Sequence, residues 1–137
     1  MASKLNPYLQ FDGNAREAME FYRDTFGGEL TVSTFGEYGT DDPSVKDNTM
    51  HAQLETENGF TLMASDTAPG MPSPPQDTKI TVSLSGDDGD ALRGYWEKLS
   101  AGGNVMMPLE KQMWGDEFGM LVDRFGVPWM VNIAGQH

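Results

Sequence analysis

The chain has 137 residues, carries 9 Lys+Arg against 21 Asp+Glu for a net charge of −12, and contains no cysteine. That length suits one domain whose core needs no covalent staples, the missing cysteine excludes disulfides, thiolate metal sites and cysteine nucleophiles, and the charge repels nucleic acid and anionic membranes. The opening MASKLNPYLQF has no signal-type apolar region and no later run approaches the roughly 20 apolar residues of a membrane span, so a soluble, cytoplasmic protein with neither nucleic-acid nor membrane partner is expected.

Leu5 to Phe11 alternates as a strand, with Leu5 and Leu9 on one face and Asn6, Tyr8 and Gln10 on the other. Asn14 and Glu17 have the spacing of a capping box, and Ala15, Ala18, Met19, Tyr22 and Phe26 then recur at helical intervals until Gly27-Gly28. Glu29 to Phe35 reads as extended, and Met50 to Thr56 and Phe60 to Ser65 as two further strands. Residues 69–76 are proline-rich and form an extended connector. Ile80 to Gly86 is again a strand, and Asp87 or Asp88 caps a helix carrying Ala91, Leu92, Tyr95 and Leu99 that stops at Gly102-Gly103. Val105 to Leu109 is extended. Phe118 to Asp123 and Val127 to Ile133 close the chain as a hairpin turning at Asp123-Arg124-Phe125-Gly126.

The shift that carries Gly27 onto Gly102 also carries Leu5 to Phe11 onto Ile80 to Gly86 with the faces preserved, so one unit is used twice. Each copy reads strand, helix, strand, strand, strand. The expected fold class is α+β: two βαβββ modules, 1–68 and 77–137, joined by the linker into a single domain spanning 1–137. Neither half is long enough to bury much core alone, and the two sheets are expected to form one cupped mixed β-sheet around a cavity lined by their polar faces.

Candidate chemistry gathers on the strand Met50 to Thr56, where His51, Gln53 and Glu55 share the face opposite Met50, Ala52 and Leu54. His137 ends the sequence, which leaves His51 as the candidate acid/base, since imidazole titrates near neutrality; a hydrogen-bonded structural histidine is the competing reading. Asp66 either orients that imidazole and contacts ligand or caps the loop after its strand. Tyr8 belongs to the polar face, whereas the face of Phe11 packs against the helix. Met63, Met106, Met107, Met113 and Met130 either line a site or fill gaps. No G-x-S-x-G, H-E-x-x-H or phosphate-binding loop is present.

The two-module plan, NPYLQFDGNAREAMEFYRDTFGGEL, Met50-His51-Ala52, Leu62 to Asp66 and the run from Trp114 to Asn132 resemble the PhnB-like branch of the vicinal oxygen chelate superfamily, which includes glyoxalases, extradiol dioxygenases and bleomycin-resistance proteins. Some members bear a 3-demethylubiquinone methyltransferase label. No glycine-rich strand-to-helix turn of the kind a nucleoside cofactor needs supports methyl transfer here. The resemblance implies a homodimer, and it places Trp114 and Asp116 at a cavity mouth. There the indole stacks on a flat ligand and the carboxylate accepts a hydrogen bond; a core lid and a turn residue are the alternatives. It also implies a divalent metal held by one residue on the first and one on the last strand of each module. Those positions correspond to Asn6, Met63, Thr81 and Met130, an amide, a hydroxyl and two thioethers that lack the charge to offset metal dehydration, so no metal or other cofactor is expected.

Three functions remain open. One is metal-free binding of a small apolar or aromatic molecule by Tyr8, Gln53, Met63, Asp66, Trp114, Asp116 and Met130. A second is a lyase, isomerase or dioxygenase with an atypical site at His51 and Glu55. The third is an interaction module without a small-molecule ligand.

Overall fold

A computed structural model describes residues 6–39, 42–43, 45–67 and 80–135. The expected linker, 69–76, lies outside the described residues. The chain divides into two compact units, 1–76 and 77–137, and no helix among the described residues is long and apolar enough to cross a membrane.

The first unit runs β1 (Tyr8–Phe11), α1 (Ala15–Phe26), β2 (Glu29–Thr34), β3 (Thr49–Glu55) and β4 (Thr61–Asp66). The second runs β5 (Val82–Gly86), α2 (Gly89–Ser100), β6 (Asn104–Lys111), β7 (Glu117–Val122) and β8 (Pro128–Ile133). Each unit is a four-stranded mixed sheet, ordered β1-β4-β3-β2 and β5-β8-β7-β6, so the first strand of each lies parallel beside the last. This is the βαβββ plan, twice, in an α+β fold.

Helical spacing explains how α1 is held. Ala15, Ala18, Met19, Tyr22 and Phe26 form one buried stripe that packs over β3, β2 and β4. Burial contributes about 1.5–3 kcal/mol for each large side chain. Period-two alternation does the same for the sheet: Leu62, Ala64 and Asp66 of β4 are buried while Thr61, Met63 and Ser65 are only partly covered. In β8 the buried set is Trp129, Val131 and Ile133.

Several expectations are corrected. Asn14 occupies the cap of α1, but its side chain makes no capping hydrogen bond; a carboxylate from the end of β4 accepts from the Gly13 and Ala15 amides on either side of it. Of the two caps expected for α2, Asp88 serves, accepting from the Ala91 amide at 3.3 Å. The helices do not end alike: α1 stops at Gly27 with φ 75°, α2 at extended Ala101, one residue ahead of Gly102. Ile80 precedes β5 and is 75% exposed rather than facing a helix.

The second glycine of each pair repeats for a steric reason. A Cβ on Gly28 would lie 2.1 Å from the Glu55 carbonyl oxygen, and one on Gly103 would lie 2.4 Å from that of Val122. Both glycines let the chain pass under the end of the third strand of their own unit.

On α2, Arg93 donates from Nε to Glu117 Oε1 of β7 at 3.3 Å and also pairs with Oε2. That hydrogen bond holds the Glu117 carboxyl below its ordinary range, and the Arg93 and Lys111 charges act in the same direction. A depressed folded-state value means the pair stabilises at neutral pH and its contribution disappears as the pH falls through that value. Both side chains keep solvent contact, so the effect is small. Denaturation of Glu117→Gln between pH 3 and 7 is expected to show a shallower acid loss than the parent; parallel curves would remove the pair from the acid response.

Candidate functional site

The sheet face of the first unit turned away from α1 is polar. Cross-strand register sets Tyr8 opposite Met63, Met63 opposite Gln53 and Gln53 opposite Thr31, one row across all four strands. His51 stands opposite Ser33 on the same face. The Tyr8 hydroxyl lies 3.2 Å from His51 Nδ1, and the two rings are 5.8 Å apart at 39°. When the phenol donates, Nδ1 is the bare nitrogen and Nε2–H is left as a donor; when the imidazole is protonated, Nδ1–H donates to the phenol instead. Tyr8 is 47% exposed, so this pair is open to solvent.

Glu55 is not brought to His51. The two are four residues apart on one strand, about 13 Å at the rise of an extended chain, and Gln53 Nε2 donates to Glu55 Oε1 at 3.4 Å. The joint His51–Glu55 site expected from the sequence therefore does not form on β3.

Asp66 is the larger correction. It is 3% exposed, on the helix-facing side of β4, opposite in sense to His51. Its Oδ1 accepts from the Gly13 and Ala15 amides at 2.8 and 2.9 Å, and its Oδ2 from the Thr49 amide at 2.8 Å. It neither orients the imidazole nor faces a ligand; it caps α1 from a distant strand. Its partners lie 53, 51 and 17 residues away in sequence.

In the second unit Trp114 sits in the β6–β7 turn and is 55% exposed, so it is no lid on that unit's core. Asp116 fastens the C-terminal end of the unit, accepting from Asn132 Nδ2 at 3.1 Å and from the Gly135 amide at 2.8 Å; its carboxylate has a structural task that the sequence reading did not give it. Asp123 is, with Asp66, one of two buried carboxylates among the described residues, taking the Phe125 and Val127 amides on Oδ1 and the Trp129 indole N–H on Oδ2 at 2.9 Å. The hairpin turn and the buried tryptophan are thus held by one side chain.

Met130 pairs with Ser83 as Met63 pairs with Tyr8, so the two methionines are equivalent in the repeat. Asn6 and Thr81 precede β1 and β5, and Tyr8 and Ser83 stand opposite the methionines instead. In either unit the donors are neutral. Among the described residues no three His, Asp or Glu side chains converge in a way that could hold a metal ion. Thioether, hydroxyl and amide groups do not fit the hard or borderline cation of the superfamily.

Two βαβββ units with these open faces define a protein of the glyoxalase and bleomycin-resistance fold. A glyoxylase/bleomycin resistance protein/dioxygenase domain from Frankia sp. EAN1pec has the same fold, with a TM-score of 0.66 at 13% identity, over 99% of each chain. Residues 3–132 match the family described as 3-demethylubiquinone-9 3-methyltransferase, and the chain belongs to that PhnB-like family. Protein YjdN of Escherichia coli K12 is 31% identical over 96% of each chain. Protein PA1353 of Pseudomonas aeruginosa superposes with a TM-score of 0.86 at 38% identity, over 98% of this chain and 100% of that one. A putative 3-demethylubiquinone-9 3-methyltransferase, PhnB protein, from Bacillus cereus gives 0.73 at 26%, over 96% and 100%.

Proposed function

We propose that the protein binds a small, largely apolar or aromatic molecule without the superfamily metal, and that Tyr8, His51, Gln53 and Met63 contact it. The observation that carries this reading is the solvent-open Tyr8–His51 pair, standing beside a thioether where a metal-binding relative would carry an acid. Aromatic rings and methionine supply adaptable apolar contact. A single imidazole and one carboxamide supply the few directional bonds that a small-molecule site needs. Methyl transfer, which the family description names, is set aside. The amides at the turn from β1 into α1, where a glycine-rich loop would cradle a nucleoside cofactor, donate to Asp66.

Equilibrium titration against a library of aromatic metabolites and antibiotics tests the reading, with saturable binding by at least one expected. His51→Ala is expected to weaken that binding by about 0.5–1.5 kcal/mol, the net worth of one hydrogen bond. Trp114→Ala tests the second unit separately: by the family resemblance it is expected to weaken a ligand held there by about 1–3 kcal/mol as a lost aromatic anchor. Because Trp114 is exposed within its unit, stability is expected to change little. Unchanged affinity in both variants would remove these residues from the site.

Adding Zn²⁺, Ni²⁺, Mn²⁺ or Fe²⁺ is expected to leave thermal stability unchanged, whereas an ion bound at 100 times its dissociation constant would contribute about 2.7 kcal/mol. A rise of several degrees with one ion, lost in His51→Ala, would favour the metal-dependent enzyme. A metal-free enzyme is the second reading, favoured by the same Tyr8–His51 hydrogen bond, in which His51 Nε2 takes or gives the proton. Turnover of a bound ligand that His51→Ala abolishes would establish it. A cytoplasmic homodimer belongs to this proposal, supported by exposed Val105, Met106 and Met113 and tested by sedimentation equilibrium.

A further inference from the structure

The second unit carries a ladder that the function above does not absorb. Register sets Met107 of β6 directly opposite Met120 of β7, and Met120 directly opposite Met130 of β8. The three side chains therefore share one sheet face on neighbouring strands. Residues so paired stand about 4.5–5.5 Å apart.

These methionines are not filling the core. Leu121, Trp129 and Val131 on the other face are essentially fully buried, while Met107 is 42% exposed and Met120 and Met130 are partly covered. Ser83 completes the row on the far side of Met130, and Phe118 and Val122 flank Met120 two residues away on its own strand. No carboxylate or imidazole lies in the row, and the chain has no cysteine, so thioether is its only sulfur ligand.

We infer that Met107, Met120 and Met130 form a binding site for a soft monovalent cation, copper(I) or its analogue silver(I). A thioether is polarizable and neutral, which suits a large soft ion with a low dehydration cost and fails a hard divalent one. Methionine has three rotatable side-chain bonds, so the outer two sulfurs can lean toward an ion above Met120. The net charge of −12 attracts any cation, and the ladder selects among them by softness. Because a thioether carries no proton to lose, binding is independent of pH across the range in which imidazole titrates.

The test is titration of the full-length, untagged protein with silver(I) in chloride-free buffer, followed by calorimetry and native mass spectrometry. One silver per chain is expected, with the same affinity at pH 5.5 and 7.5. Met120→Leu, Met107→Leu and Met130→Leu each conserve volume and are expected to weaken binding at least tenfold, whereas Met106→Leu and Met113→Leu are not. Met107 lies on the exposed edge strand, so Met107→Leu remains informative should Met120→Leu fail to fold. Three results would each overturn the proposal: no saturable silver binding, binding that survives the triple leucine variant, or binding that falls on acidification and disappears in His51→Ala.

Discussion

Replacing Asp66 by alanine is expected to cost about 3–5 kcal/mol of stability. The estimate follows from three backbone amides, those of Gly13, Ala15 and Thr49, that its carboxylate satisfies. The Ala15 and Thr49 bonds are buried, and a buried donor left unmade costs about 1–3 kcal/mol. Partial access of water to the Gly13 amide brings the total below three full penalties. Asp66→Asn is expected to fall between parent and alanine, because an amide oxygen can still accept while its NH2 group faces a donor. Urea denaturation of the three proteins measures the series. A loss below about 1 kcal/mol for Asp66→Ala would mean that water satisfies the three amides once the side chain is gone, and the distant carboxylate would be dispensable.

Gly28→Ala is expected to be comparably severe, about 3–5 kcal/mol or failure to fold. Two costs combine. The residue holds φ +108°, a conformation that strains any side chain by about 1–3 kcal/mol. Its Cβ would also stand 2.1 Å from the Glu55 carbonyl oxygen and 2.6 Å from the Thr56 Cα, so backbone rather than a flexible side chain must yield. Gly103→Ala separates the terms: its Cβ would meet the Val122 carbonyl oxygen at 2.4 Å without a left-handed φ, and it is expected to cost less. Equal losses at both positions would show that the clash alone decides.

What the sequence made legible was whatever repeats at short range. Apolar spacing marked α1 because every residue of its stripe lies within a turn of the next, and alternation assigned faces on β1 and β3 because a strand has only two. The equivalence of Met63 and Met130, which the family resemblance implied, holds in the register, each facing the first strand of its own unit. Asp66 was misread for the opposite reason. A carboxylate at the end of a strand looks like a turn residue, and the amides that claim it belong to segments brought in only by tertiary packing. The methionine ladder was hidden by register. The irregularities in β6 between Val105 and Met107 and between Met107 and Glu110 decide which residue meets Met120, and no local pattern encodes them. His51 stood out because it is the one histidine that alternation sets on a strand, but its hydrogen-bond partner Tyr8 lies 43 residues away.

The two helices, alike in length, are unequally anchored. Residues from six positions of α1 are buried against two, Leu92 and Leu99, in α2. Opening free energy follows buried apolar contact, and cooperative units of a fold open separately when their contacts differ. Deuterium should therefore enter the α2 amides by a low-energy opening that leaves β7 and β8 protected, while the α1 amides exchange only with the loss of their whole unit. Although the chain repeats one plan, its two copies would wake at different temperatures, the second helix first.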